Sequence, residues 1–456
     1  MLRRQSARES AARTYARSLP IVPVRARGLT IEGADGRRYL DCLSGAGSLA
    51  LGHNHPVVLE AIRGVLDSGA PLHVLDLATP VKDAFTSELF ATLPPGLAGS
   101  ARIQFCGPAG TDAVEAALKL VRTATGRDGL LAFSGAYHGM TAGALAVSGG
   151  AHSARVTRLP YPQDYRCPFG TGGEEGARLA ARWTESLLDD PKSGVRTPAG
   201  MIVEPVQGEG GVIPAPDSWL RRMREITADR DIPLIADEVQ TGVGRTGAFW
   251  AVEHSGVVPD VMVLSKAIGG SLPLAVIVYR EELDAWQPGA HAGTFRGNQL
   301  AMAAGTATLK YVRENGLAER AALLGERMTA RLRRLAEEYE RIGDVRGRGL
   351  MIGVEFVDPG GTATRGGAED GARPHPADPV LAAAVQRECL RRGLIVELGG
   401  RHSSVVRLLP PLTISDEQAE AVLDRLADAV AAAQRPGRSV PAPGGPPSED
   451  SGPLPG

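Results

Sequence analysis

Three charged residues in this sequence each follow a short apolar run. Glu204 follows Met201-Ile202-Val203, Asp237 follows Leu234-Ile235-Ala236, and Lys266 follows Val261-Met262-Val263-Leu264-Ser265. Runs of that length bounded by Gly, Pro and Asp suit strands buried on both faces, and ligands bind outside the carboxyl ends of such strands in an open parallel sheet. A single charge at a strand end is ordinary turn chemistry. An acid and a lysine on two such strands, with Gly-rich turns after both, point to one shared crevice.

A lysine in such a crevice has its charged form disfavoured by desolvation. It can then act as a neutral nucleophile and form an imine with an aldehyde. Pyridoxal phosphate (PLP) supplies an aldehyde and an electron sink, and the sink works best with a carboxylate beside its ring nitrogen. Asp237 is the candidate for that carboxylate. On position alone, a surface lysine in a loop is an equal reading of Lys266. The run Ser265-Lys266-Ala267-Ile268-Gly269-Gly270-Ser271 tilts the balance, because small residues let backbone approach a ligand closely. A phosphate would need a cradle, and Gly107-Pro108-Ala109-Gly110-Thr111-Asp112 opens a helix beginning near Ala113, whose free N–H groups suit an anion. Asp112 is alternatively only an N-cap. Tyr137, after the strand Gly129 to Phe133, could stack on a flat ring, although ordinary packing is the commoner role of such a residue.

These groups need a scaffold. Leu19 to His55 alternates apolar residues around Gly33-Ala34-Asp35-Gly36, which predicts a hairpin. From about Pro56 to Asn315 helical and strand-like stretches alternate. Asp112 to Arg122 reads as a helix, while Gly129 to Phe133, Met201 to Val203, Leu234 to Ala236, Val261 to Leu264 and Leu274 to Val278 read as buried strands. The rest predicts a small α+β part, with helices Ala318 to Tyr339, Pro379 to Arg392 and Ser415 to Ala433, and strands at Leu350 to Phe356 and near Ile395 and Val405. The expected organisation is an N-terminal segment (1–55) that joins the small domain, a large domain (56–315), a C-terminal small domain (316–434) and a disordered tail (435–456). The fold class is α/β, with a mostly parallel central sheet flanked by helices. Pro359 to Pro379, rich in Gly, Ala and Pro, is expected to be a mobile loop.

The formal net charge is -2 over 456 residues, with 22% charged and 43% hydrophobic. That balance gives no reason to expect nucleic acid or an anionic membrane as partner. Met1 to Pro20 lacks the apolar stretch of a secretory signal and reads as a plain N-terminal helix. Cys42, Cys106, Cys167 and Cys389 are scattered, which suits reduced thiols in a cytoplasmic protein and neither a disulfide frame nor a metal site.

The chain resembles the class III, ornithine-type PLP aminotransferases of fold type I, over roughly Tyr15 to Ala433. The resemblance is carried by Ala236-Asp237-Glu238-Val239-Gln240-Thr241-Gly242-Val243-Gly244-Arg245-Thr246-Gly247, by the Lys266 segment, by Glu204-Pro205-Val206-Gln207-Gly208-Glu209-Gly210-Gly211 and by Gly293-Thr294-Phe295-Arg296-Gly297-Asn298. It implies that Lys266 is the Schiff-base lysine and proton shuttle and that Asp237 is the pyridinium partner. It implies cofactor contacts from Glu204, from Gln240 at the phenolic oxygen, from Gly110 and Thr111 at the phosphate, and from Tyr137 by stacking. Thr294 is implied as a phosphate ligand from a neighbouring subunit, hence a homodimer with shared sites. Arg407 would grip the α-carboxylate of glutamate or 2-oxoglutarate, and Glu209 would pair with it when an amine lacking that carboxylate enters. Ala109 departs from the serine common in the family, so one hydroxyl contact to phosphate is missing.

Narrower stretches, among them Pro160-Tyr161-Pro162-Gln163-Asp164-Tyr165-Arg166-Cys167-Pro168-Phe169-Gly170 and His291-Ala292-Gly293-Thr294-Phe295-Arg296-Gly297-Asn298-Gln299, resemble the diaminobutyrate–2-oxoglutarate branch. The implied reaction moves an amino group from L-glutamate to L-aspartate 4-semialdehyde, reversibly. The rivals are other ω-amine donors (ornithine, lysine, 4-aminobutyrate), an aminomutase or racemase on the same fold, and a non-catalytic protein that keeps the fold as a scaffold.

Overall fold

The computed structural model describes residues 1–361 and 374–435. The middle of the Pro359–Pro379 segment and the expected tail beyond Arg435 lie outside the described residues.

Four short runs, Leu130–Phe133, Gly200–Val203, Leu234–Asp237 and Val261–Leu264, are buried along their whole length. They form the middle of a seven-stranded sheet in the order Ala101–Phe105, Val276–Arg280, Val261–Leu264, Leu234–Asp237, Gly200–Val203, Leu130–Phe133, Val156–Leu159. Alternate residues serve opposite faces. Ile202, Ile235, Val261 and Val263 pack with Val114, Leu118 and Val121 of the helix Gly110–Thr125, whereas Met201, Val203 and Leu234 pack with Trp219 and Met223 of Asp217–Ala228.

The sheet departs from the sequence reading in two ways. The strand expected over Leu274 to Val278 spans Val276–Arg280 and runs antiparallel to both neighbours. Only residues 265–275 separate it from Val261–Leu264, and a parallel return needs a crossover of about a dozen residues or more, usually a helix. The strands Ala101–Phe105 and Val156–Leu159 were not anticipated. Both are edge strands, and Arg102, Gln104 and Arg158 interrupt their apolar pattern.

Beyond the large sheet, Ile342–Arg348, Met351–Phe356, Val405–Leu408 and Glu397–Gly399 form a second, antiparallel sheet in that order. Leu317–Glu338, Pro379–Arg391 and Asp416–Ala433 are its helices. Their starts obey local chemistry: Asp378 accepts the Leu381 N–H at 2.8 Å, and Ser415 with Gln418 makes a reciprocal cap. The expected hairpin is present as Thr30–Gly33 paired with Arg38–Asp41, and the latter strand also pairs in parallel with Leu394–Ile395. The two ends of the chain therefore share one small sheet.

The expected N-terminal helix is instead two short helices, Leu2–Ser6 and Tyr15–Ser18, neither with a buried residue. This Arg- and Ser-rich stretch has no apolar stripe with which to dock a longer helix. Among the described residues, no helix is long and apolar enough to cross a membrane.

Candidate active site

A cavity of about 280 Å³ opens at the carboxyl ends of Leu234–Asp237 and Val261–Leu264. Gly110, Thr111, Tyr137, Glu204, Glu209, Asp237, Gln240 and Lys266 all line it. The sheet register explains why the central pair meets: Asp237 lies opposite Val263 on the adjacent parallel strand, three residues before Lys266.

Lys266 sits in the left-handed region at φ 51°, a conformation that strains a residue with a Cβ and that clusters at functional sites. Burial lowers its pKa, opposed by the nearby charges of Glu209 and Asp237. The paired glycines after it do something other than the sequence suggested. A Cβ on Gly270 would stand 2.4 Å from the Ala304 carbonyl oxygen, and one on Gly305 would stand 2.0 Å from that of Ile268. The small residues let the lysine turn pack against the helix Gln299–Glu314, and of this turn only Lys266 reaches the cavity.

Asp237 is almost fully buried. Its Oδ1 accepts the Val239 N–H at 3.0 Å and its Oδ2 meets His138 Nδ1 at 2.7 Å. His138, which sequence reasoning passed over, is also buried. Burial works against its charge, but the Asp237 contact outweighs this and raises its pKa. Its Nε2 has no partner among the described residues. Glu204 braces two turns of the cavity wall, accepting the Tyr137 N–H at 2.9 Å and the Gly208 N–H at 3.0 Å, and burial pushes its pKa up to about 7.

The helix that carries Gly110 and Thr111 begins at Gly110, with Ala109 as its N-cap. Asp112 is therefore in the first turn and is not the N-cap; its carboxylate reaches back to accept the Ala109 N–H at 3.0 Å. Ala109 contributes no hydroxyl, so the anion-binding capacity rests on backbone N–H groups and Thr111. Glycine is needed here: a Cβ on Gly110 would approach Val239 to 3.0 Å, and one on Gly139 would strike Thr111 Oγ1 at 2.4 Å. Across the cavity Gln240 Oε1 has no partner among the described residues, and a Cβ on Gly208 would fall 1.9 Å from that atom. A buried lysine, a buried carboxylate, a helix N-terminus and an unsatisfied amide thus surround a space suited to a flat ring bearing an aldehyde, a ring nitrogen and a phosphate.

Arg407 is fully buried on Val405–Leu408. Its Nη2 donates to Glu209 Oε2 at 2.8 Å and lies 2.6 Å from Glu397 Oε2, while Nε and Nη1 have no partner among the described residues. Glu397 was missed in the sequence. Its signal is recoverable only from the register, since it stands directly opposite Arg407 in the paired strands. Thr294 is not brought to this cavity within the chain. It lines a separate, wider cavity of about 880 Å³ with Lys82, His291 and Arg296, and its carbonyl contacts His73 Nε2 at 3.0 Å.

The family described as Aminotransferase class-III matches residues 11–430. The chain is 56% identical over 448 residues to the diaminobutyrate–2-oxoglutarate aminotransferase of Rhizobium meliloti, covering 96% of this chain and 93% of that one. It is 49% identical over 446 residues to the protein of the same name from Haemophilus influenzae, covering 96% of each. Among solved structures, an amine transaminase from an uncultivated Pseudomonas species with PLP bound superposes with a TM-score of 0.83 at 31% identity, over 93% of this chain and 97% of that one. The ornithine aminotransferase of Toxoplasma gondii superposes with a TM-score of 0.77 at 27% identity, over 95% of each.

Proposed function

The chain belongs to the class-III aminotransferases, PLP enzymes of fold type I, and from that premise we propose that it transfers the amino group of L-glutamate to L-aspartate 4-semialdehyde, giving L-2,4-diaminobutyrate and 2-oxoglutarate, and catalyses the reverse. The observation that carries the chemistry is the convergence of Lys266 and Asp237 from adjacent strands on one cavity. The substrate reading is supported by the names of the two relatives above.

The residues fit PLP. Lys266 would take the aldehyde, Asp237 the ring nitrogen, Gly110 and Thr111 the phosphate, Tyr137 one ring face, and the unsatisfied Gln240 amide the phenolic oxygen. When bound, PLP supplies an aldehyde for the amine and a ring that accepts the electrons released at the amine-bearing carbon. The protein's own contribution is positional and acid–base. Burial favours a neutral Lys266 Nζ, which serves as nucleophile and then as carrier of the migrating proton. Asp237, oriented by His138 and by the Val239 N–H, holds a proton at the ring nitrogen. Glu204 keeps the Tyr137 and Gly208 turns in place. Arg407 offers a guanidinium to the α-carboxylate of glutamate, and Glu209, one of its two carboxylate partners, is the group displaced. Both half-reactions use one cavity, so ping-pong kinetics follow.

Thr294 supports a homodimer. The segment around it exposes Phe295, Leu72, Leu75 and Leu77, and His73 joins the two stretches. Apolar side chains gathered on a surface suit self-association, and a second copy would bring a Thr294 to each cavity. We assign the enzyme to the cytoplasm, in keeping with four free cysteines.

The test is a panel of amine donors with 2-oxoglutarate, scored for glutamate formed. Diaminobutyrate is expected to exceed ornithine, lysine and 4-aminobutyrate in kcat/KM, and a better donor among those would overturn the substrate. Omitting 2-oxoglutarate should stop the reaction after one half-turnover, whereas an aminomutase or racemase would continue.

A further inference from the structure

Arg407 has two carboxylates for one guanidinium. Glu209 reaches it from the turn after Val206–Gln207, and Glu397 reaches it from the neighbouring strand. The three differ in enclosure: Arg407 is fully buried, the Glu397 side chain is 11% exposed and the Glu209 side chain 32%. Glu397 is the more enclosed of the two acids, and among the described residues its Oε2 has no hydrogen-bond partner, so it meets Arg407 as an ion pair. It lies in a strand directly across from Arg407, where Gly399 makes room for the guanidinium, since a Cβ there would meet Arg407 Nε at 2.6 Å. Among the described residues the Glu209 carboxylate is held by Arg407 and by a long contact, 3.4 Å, to Gln240 Nε2.

We propose that Glu397 is a specificity-determining residue, whose carboxylate stays on Arg407 whether the second carboxylate there is that of Glu209 or of the substrate, so that one guanidinium and two carboxylates together carry one negative charge in excess. The proposal rests on the aminotransferase reading above and deepens it. Glu209 and an incoming substrate carboxylate exchange places on Arg407 without altering the local charge. Glu397 is common to both states; burial raises its pKa and Arg407 opposes that shift, and in its ionised form its charge acts on whatever else the substrate carries. Near neutral pH diaminobutyrate has two ammonium groups and one carboxylate and is a net cation. Glutamate is a net anion. 4-Aminobutyrate, which is diaminobutyrate without its α-ammonium, is neutral overall. An excess negative charge ranks these three by charge whatever their detailed pose, and so biases a site that must accept glutamate towards the diamino acid. Lys266 lies within reach of the same charges, with Glu397 among those that favour its protonated form.

The test compares kcat/KM for diaminobutyrate, 4-aminobutyrate and glutamate in the PLP-loaded wild type, Glu397→Gln and Glu397→Asp. In Glu397→Gln the preference for diaminobutyrate over 4-aminobutyrate should fall about tenfold, and that for 4-aminobutyrate over glutamate about tenfold again. That is the Coulomb effect of one charge about 10 Å away at an effective dielectric near 20. Glu397→Asp should keep most of the wild-type ranking. A parallel loss for all three substrates in Glu397→Gln, or unchanged ratios, overturns the inference, because a merely structural role would not sort substrates by charge. The cofactor absorbance of each variant reports whether its site has folded. Wild-type enzyme that forms no glutamate from diaminobutyrate would sink the proposed reaction, and the 4-aminobutyrate to glutamate ratio would still decide the role of Glu397.

Discussion

His138 Nδ1 and Asp237 Oδ2 stand 2.7 Å apart, both inside the protein, one on the turn after Leu130–Phe133 and the other at the end of Leu234–Asp237. The contact fixes the carboxylate proposed above to hold the proton on the ring nitrogen of the cofactor. Replacing His138 with Asn is expected to lower kcat about tenfold to a hundredfold, the usual range when a partner that orients a reactive group is lost. The pH at which the absorbance of bound PLP changes should shift with it. Unchanged kcat and an unchanged spectral titration would show that Asp237 needs no such support.

Lys266→Ala should lose the yellow chromophore of the bound cofactor and reduce turnover by at least about a thousandfold, because nucleophile and proton carrier disappear together. Stopped-flow absorbance with glutamate reads both. Near-normal turnover would refute the assignment.

Arg407→Lys keeps a positive charge near Glu209 and Glu397 but removes the planar fork. We expect kcat/KM for glutamate to fall by about a hundredfold, the scale of a lost charge-assisted carboxylate contact. PLP affinity should move by much less. Equal losses in the two would argue against a carboxylate-binding role.

Glu204 and Glu238 are buried acids whose pKa values are each pushed up to about 7, in both cases chiefly by desolvation. A carboxyl raised in the folded state stabilises it most below the ordinary value near 4.5, and that contribution is lost as pH rises through about 7. Replacing Glu204 with Gln should therefore flatten the fall in Tm of the cofactor-free protein between those pH values. Thermal melts across that range check it, and an unaltered slope would mean that Glu204 is ionised throughout.

The buried strands and the residues at their ends were legible because four strands enclosed on both faces leave short but unbroken apolar runs, and a charge at the end of such a run stands out. The edge strands Ala101–Phe105 and Val156–Leu159 were not, since half-exposed strands carry arginines and glutamine that break the pattern. His138 and Glu397 escaped notice because their significance lies in partners about a hundred residues away or across a strand register, which composition does not encode. The Tyr165-Arg166 stretch, matched as a sequence likeness, shows a physical role in the structure. Arg166 Nε reaches the buried Glu355 at 2.5 Å, tying this loop to the strand beside the one that carries Arg407.

The parallel pairing of Arg38–Asp41 with Leu394–Ile395 sets an order on biosynthesis. A ribosome releases the first of these strands hundreds of residues before the second exists. The early hairpin must wait with an open edge, which is a template for unwanted pairing between nascent chains. The large sheet, whose strands lie between residues 101 and 280, can close during that interval. Chains cut short before Leu394 would therefore be expected to aggregate through their N-terminal strands even though the cavity-bearing sheet is complete.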